Sequence, residues 1–264
     1  MNSIALIAAI AAIAFYAGGL IQLWRTRSHA HHEPDVMWWV IGALICHGAS
    51  NWLTLRVTGG INLSLLSASN LVSWVVVAAV AVTTMRLPVQ RLYLFLFPLS
   101  ISILVLLNIV PAHVTPIVVS EPLFIHIVVS LAAYSVLLLA ACHSVLLAIQ
   151  ERHLKNPGKP ILQLLPPLET METLLVAMLW IGLILLSASI LSGFFFLQDM
   201  FAQQVVHHTV LTTASWLVYV FFLAGRHLFG WRGLTAVRWT LCAFALLLLG
   251  YVGSKFVLEY LLGP

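Results

Sequence analysis

Eight apolar runs, each close to the length that crosses a bilayer, constrain this chain more than any other feature. They lie near residues 3–24, 37–56, 66–85, 92–110, 122–150, 173–197, 208–228 and 237–261. About 20 apolar residues in a helix cross the hydrocarbon core. The runs are too long for barrel strands and do not alternate between apolar and polar residues. Open sheets are excluded because their unpaired backbone groups cannot face lipid. Only 8% of the residues are charged and 62% are hydrophobic, whereas a soluble domain carries roughly 25% charge. The expected fold is therefore all-α: a polytopic membrane bundle of eight transmembrane helices. No stretch is left for a soluble domain, so residues 1–264 read as a single integral membrane domain.

Proline and glycine punctuate most of the breaks, as in "RVTGGINLS", "RLPVQR" and "PAHVTPIVVSEP", where helices are expected to end. The fifth run is long enough to tilt or to extend beyond the membrane. The first lacks the basic stretch that precedes a secretory signal and reads as a retained helix. Lys and Arg are unevenly placed. Odd-numbered loops and their flanks hold Arg25, Arg27, Arg86, Arg91, Arg152, Lys155, Lys159, Arg226, Arg232 and Arg238, while the even-numbered loops hold only Arg56. The positive-inside rule then puts the odd loops in the cytoplasm and both termini outside. The net charge of +4 does not point to nucleic acid, because the basic residues stand singly at span ends rather than in one patch.

Few residues offer chemistry. Cys46, Cys142 and Cys242 lie inside apolar runs without a C-x-x-C or C-x-x-C-H pattern, which fits small packing residues better than thiol redox or covalent haem attachment. Acidic residues such as Asp35, Glu151, Glu169, Glu172 and Asp199 fall in loops or at span edges, which disfavours a carboxylate-driven pump. No nucleophile elbow, phosphate loop or zincin pattern occurs.

The histidines are the remaining candidates. His126, in "LFIHIVVSLAAYSV", lies about one turn inside the outer end of the fifth span, where an imidazole serves equally as a metal or haem ligand and as an interfacial hydrogen-bonding group. His47, in "WWVIGALICHGASNWL", sits near mid-membrane, and Asn51 follows one turn outward on the same face. An intramembrane ionisable group suggests a ligand or proton relay, against an interhelical hydrogen bond. His143 and His227 belong near the cytoplasmic side, His227 as a helix cap or headgroup contact beside Arg226. His29, His31 and His32 cluster with Glu33 and Asp35 in the first loop, a pattern usual for a solvated loop. His113, His207 and His208 share the outer side with His126. Neighbouring His207 and His208 point in different directions, so at most one is expected to serve a given site.

Three stretches together resemble the cytochrome c assembly (CcsA/CcmC-type) family of haem-handling membrane proteins. They are "GGINLSLLSASNLVSWVV", "EPLFIHIVVSLAAYSVLLLAACHSVLLAIQE" and the closing "SWLVYVFFLAGRHLFGWRGLTAVRWTLCAFALLLLGYVGSKFVLEYLL". The resemblance covers essentially the whole chain. It rests on a Trp-Arg-Gly turn followed by a Tyr-x-Gly helix, and on His126 followed eight residues later by Tyr134. It implies b-type haem as cofactor, held by intramembrane and outer-surface histidines. His47 is similar by position to the first intramembrane histidine and His126 to the first outer one. His227 is nearest to the second intramembrane histidine, although three residues closer to the Gly-Trp-Arg-Gly turn than the family pattern. The resemblance also implies the bacterial inner membrane as location and other cytochrome c assembly proteins as partners. Two departures remove haem lyase activity from what it implies. "QDMFAQQVVHHTVLTTASW" stands where the tryptophan-rich outer motif belongs, and "YVGSKFVLEYLLGP" lacks the outer histidine of that region. The alternatives from other classes are a solute or metal transporter, with His47 and Asn51 lining its path, and a haem-free scaffold for a partner complex.

Overall fold

The computed structural model describes residues 3–26, 36–85, 89–110, 119–155, 167–196 and 206–261. They form eight long helices: α1 (Ser3–Thr26), α2 (Met37–Leu55), α3 (Leu65–Thr84), α4 (Tyr93–Ile109), α5 (Glu121–Lys155), α6 (Leu168–Phe196), α7 (Val206–Phe229) and α8 (Leu234–Leu248). α8 runs on through a π-helical segment, Leu249–Gly253, a single α-turn, Ser254–Phe256, and a second π-helical segment, Val257–Leu261. Seven of these helical stretches are long and apolar enough to cross a membrane. α2 is the exception among the eight. Its length of 19 residues suffices, but Ser50, Asn51 and His47 dilute its apolar character, and all three are buried.

The chain divides into two compact units, one built from α1–α4 and the other from α5–α8. In the first, α1 packs on α2 and α4, and α3 packs on α2 and α4. A two-residue antiparallel hairpin, Arg56–Val57 with Gly60–Ile61, follows α2 directly. Its turn places Gly59 at φ 94°, a left-handed backbone that glycine adopts without steric cost. Asn62 closes the loop by donating its amide to the Leu55 carbonyl at 2.8 Å and accepting from Ser64 N at 3.0 Å. In the second unit α5 and α6 form the main pair, α7 packs on α8 and α6, and α8 also meets α5.

Both units are apolar outside and comparatively polar inside. Ile4, Ile7, Ile45, Ile109, Ile184, Phe195 and Leu217 are exposed, whereas Asn70, Ser73, Ser100, Ser144 and Ser215 are buried. Water would penalise that distribution, while lipid accommodates it. Helices in lipid associate through small residues and interhelical hydrogen bonds because apolar surface gains nothing by leaving the bilayer. Ser215 donates to the Ala243 carbonyl at 2.7 Å, and Trp216 donates to Ser187 at 2.8 Å. Both bonds tie α7 to a neighbouring helix by this means.

Candidate functional site

In the α5–α8 unit, His126 stands near the start of α5 and is half-buried. Its ring is held by a ladder of serines on α5 and α6. Ser192 uses its single hydroxyl proton on the Ser189 carbonyl at 2.9 Å. Its oxygen, 3.0 Å from His126 Nδ1, is therefore an acceptor, and Nδ1 carries the proton. Ser130 likewise commits its proton to the His126 carbonyl at 2.6 Å, and its oxygen takes the Ser189 hydroxyl at 2.7 Å. Nε2 lies 3.5 Å from that same Ser130 oxygen, which has no proton left to offer. This hydrogen-bond pattern leaves the Nε2 lone pair unengaged. A histidine with Nδ1–H fixed by an oxygen and Nε2 left bare is the form that binds a metal or haem iron.

Next to it, His208 near the start of α7 accepts a long hydrogen bond, 3.4 Å, from the Tyr134 hydroxyl on α5. Tyr251, in the first π-helical segment, lies 5.4 Å from the Tyr134 ring and 6.3 Å edge-on from the His208 ring. His208 is close enough to interact electrostatically with both His126 and Lys255, and Lys255 pairs with Glu259 at 3.4 Å. One end of this unit thus gathers two imidazoles, two phenols and an ion pair. His207, the neighbour of His208, is exposed, in line with the expectation that adjacent histidines diverge.

The other end of the unit has a different character. With 1.5 Å of rise per residue, the path along α5 from His126 to Glu151 covers about 37 Å. There the Gly233 amide donates to Glu172 Oε1 at 2.6 Å, and Arg226 approaches the same carboxylate at 3.9 Å while donating to the Trp231 carbonyl at 3.2 Å. Trp231 stacks on Trp239 with ring centroids 5.7 Å apart and planes inclined by 3°. His227 is exposed at the end of α7, so the structure does not bring it to His126. His143 is buried and donates Nε2–H to the Met171 carbonyl at 3.0 Å, a satisfied core position.

In the α1–α4 unit, His47 is fully buried. Its Nδ1 is 2.9 Å from the Tyr16 hydroxyl on α1, and its Nε2 is 2.9 Å from Asn70 Oδ1 on α3. Asn70 in turn donates to Asn51 Oδ1 at 2.9 Å. The shared face of His47 and Asn51 expected from their spacing is therefore real, and Asn70 bridges it. His29, His31, His32, Glu33, Asp35 and His113 lie outside the described residues. Among the described residues no group of three or more His, Cys, Asp or Glu is placed to hold a metal ion. The cysteines are all free thiols.

The sequence reading did not single out Tyr16, Asn70, Ser189 or Ser192. A signal was available for the first two. A tyrosine and an asparagine inside apolar helices need partners, and a buried histidine in a third helix is one.

These features define a helical membrane protein with an imidazole-bearing polar site at the end of one helical unit. The chain belongs to the cytochrome c assembly protein family, which matches residues 38–262. It is 28% identical over 257 residues to the inner membrane protein YpjD of Escherichia coli strain K12, covering 96% of both chains. It is also 28% identical over 236 residues to a 28.8 kDa protein from the nifR3-like 5′ region of Azospirillum brasilense, covering 84% of this chain and 86% of the relative. No solved structure gives a significant match.

Proposed function

We propose that the chain handles b-type haem in cytochrome c assembly, and that the α5–α8 unit holds it through His126 with His208 as the second imidazole. Family membership supports the pathway, and the bare Nε2 of His126 is the observation that carries the site. Haem iron takes axial imidazole ligands, and bound haem would supply the redox-active, transferable iron porphyrin. The protein's own part is to keep Nδ1–H on Ser192, so that Nε2 faces the ligand as a lone pair. His208 becomes available by giving up its long bond to Tyr134. Tyr134 and Tyr251 offer apolar ring faces with polar tips, and Lys255 offers a cation near a carboxylate-bearing ligand.

All eight helices, α2 included, are taken to span the inner membrane as one integral domain with both termini outside. This places His126 and His208 at the outer face, where other cytochrome c assembly proteins would give or receive haem. The Lys and Arg asymmetry supports this orientation. The relative's description as an inner membrane protein supports the location.

The test is the visible spectrum of haem-loaded, detergent-purified protein. His126→Ala and His208→Ala should each lower haem content or move the spectrum from six- towards five-coordinate. Added imidazole should partly restore it in both. His207→Ala should do neither. An unchanged spectrum and stoichiometry in His126→Ala would leave this histidine an interfacial hydrogen-bonding residue and overturn the proposal.

A further inference from the structure

We infer that His47 is not an iron ligand but the hydrogen-bond hub that locks α1, α2 and α3 together within the first helical unit. This runs against the role that family resemblance implies for it, and it does not rest on the haem site proposed for the other unit.

Proton counting carries the argument. Asn70 Oδ1 can only accept, so at 2.9 Å the His47 Nε2 must be the donor. The same amide turns its nitrogen towards Asn51 Oδ1 at 2.9 Å, which fixes its orientation. With the proton of the neutral ring on Nε2, Nδ1 bears the lone pair, and the Tyr16 hydroxyl donates into it at 2.9 Å. Neither nitrogen is available: one carries hydrogen and the other already accepts it. The Tyr16 ring stands edge-on to the imidazole, 5.8 Å away at 89°, and rests on Phe97 of α4 at 5.2 Å. His47, Tyr16 and Asn70 are each fully buried. An iron approaching either nitrogen would have to expel a Tyr16 or Asn70 oxygen into surroundings that offer it no water. The residues around His47 therefore do not fit haem. They fit a neutral imidazole that accepts from one helix and donates to another.

A crossed pair of substitutions separates the two roles. Glutamine can both accept and donate a hydrogen bond but is not a haem ligand, whereas methionine can ligate haem iron but cannot donate. His47→Gln is expected to keep the yield, the detergent melting temperature and the haem-to-protein ratio near those of the parent. His47→Met is expected to lower yield and melting temperature. Tyr16→Phe removes one hydroxyl and no potential ligand, and should also lower the melting temperature. A ligand role predicts the opposite: loss of haem in His47→Gln, a retained but shifted spectrum in His47→Met, and unchanged or higher haem content in Tyr16→Phe. That pattern, or equal destabilisation by Gln and Met together with a neutral Tyr16→Phe, overturns the inference. The melting measurements decide the matter on protein with or without haem, so failure of the haem proposal would not obscure the result.

Discussion

Gly225→Ala should reverse the usual sign of a glycine-to-alanine change in a helix. Gly225 is buried in the last turns of α7. An alanine Cβ there would fall 2.4, 2.5 and 2.8 Å from Cζ3, Cε3 and Cη2 of Trp231. Carbon atoms settle at about 3.5–4.0 Å, so the indole would have to retreat by about 1 Å. It is poorly placed to do so. Trp231 stacks on Trp239, meets Phe221 edge-on at 5.5 Å and lies against Phe229 at 6.0 Å, while its carbonyl holds Arg226. Overpacking of this kind costs about 1–3 kcal/mol, and a disturbed aromatic pair forfeits about 1 kcal/mol more. The gain in helix propensity returns about 1 kcal/mol. The balance is a net loss of about 1–3 kcal/mol. Unfolding in mixed micelles, followed by far-ultraviolet circular dichroism, would measure it. The decisive comparison is with Trp231→Ala, which removes the obstacle. In that background Gly225→Ala should be neutral or stabilise by up to about 1 kcal/mol. Stabilisation in the parent chain, or the same loss in both backgrounds, would refute the reasoning.

Two further outcomes are expected. Gly230, at φ 69° with open space around it, should accept asparagine at a cost under about 1 kcal/mol, whereas Gly233→Asn should cost about 2 kcal/mol or more. Gly233 combines φ 57° with ψ −132°, and a Cβ there would meet Glu151 Oε2 at 2.9 Å; micelle unfolding of the two variants checks the order. Reporter fusions after Pro264 should report the outside and fusions near Lys155 the cytoplasm, and a cytoplasmic C-terminus would remove His126 from the outer face.

Much of the helical framework was legible because lipid demands long apolar runs. Helices expected near 3–24, 66–85 and 208–228 are found at Ser3–Thr26, Leu65–Thr84 and Val206–Phe229. The largest discrepancy is at α6, expected from 173 and beginning at Leu168. Hydropathy discards Glu169 and Glu172 there, yet carboxylates suit the first turns of a helix, whose dipole favours them. α5 similarly continues past its apolar run through Glu151 and Arg152 to Lys155. Composition locates spans, whereas hydrogen bonding sets where helices end.

The site was only partly legible. His126 and Tyr134 stood out by spacing, and His208 was a named neighbour. Their arrangement depends on Ser189 and Ser192, two common residues in an otherwise ordinary apolar helix, whose meaning arises only when α6 lies beside α5. His47 shows the converse. Its depth was evident from sequence, but its Tyr16 and Asn70 partners come from other helices, and without them a ligand and a hydrogen-bonding hub look alike.

The end of α8 adds a constraint of another kind. A π-helical turn amounts to a residue inserted into an α-helix, and two such segments, Leu249–Gly253 and Val257–Leu261, flank a single α-turn. Removing one residue from the first would let ordinary α geometry resume and swing everything beyond it by about 100°. Tyr251, Lys255 and Glu259 could all be retained, and their alignment with His208 and Tyr134 would still be lost. Through this stretch the count of residues is as informative as their identity, and a single-codon deletion could dismantle the polar end of the unit without removing any of the side chains that compose it.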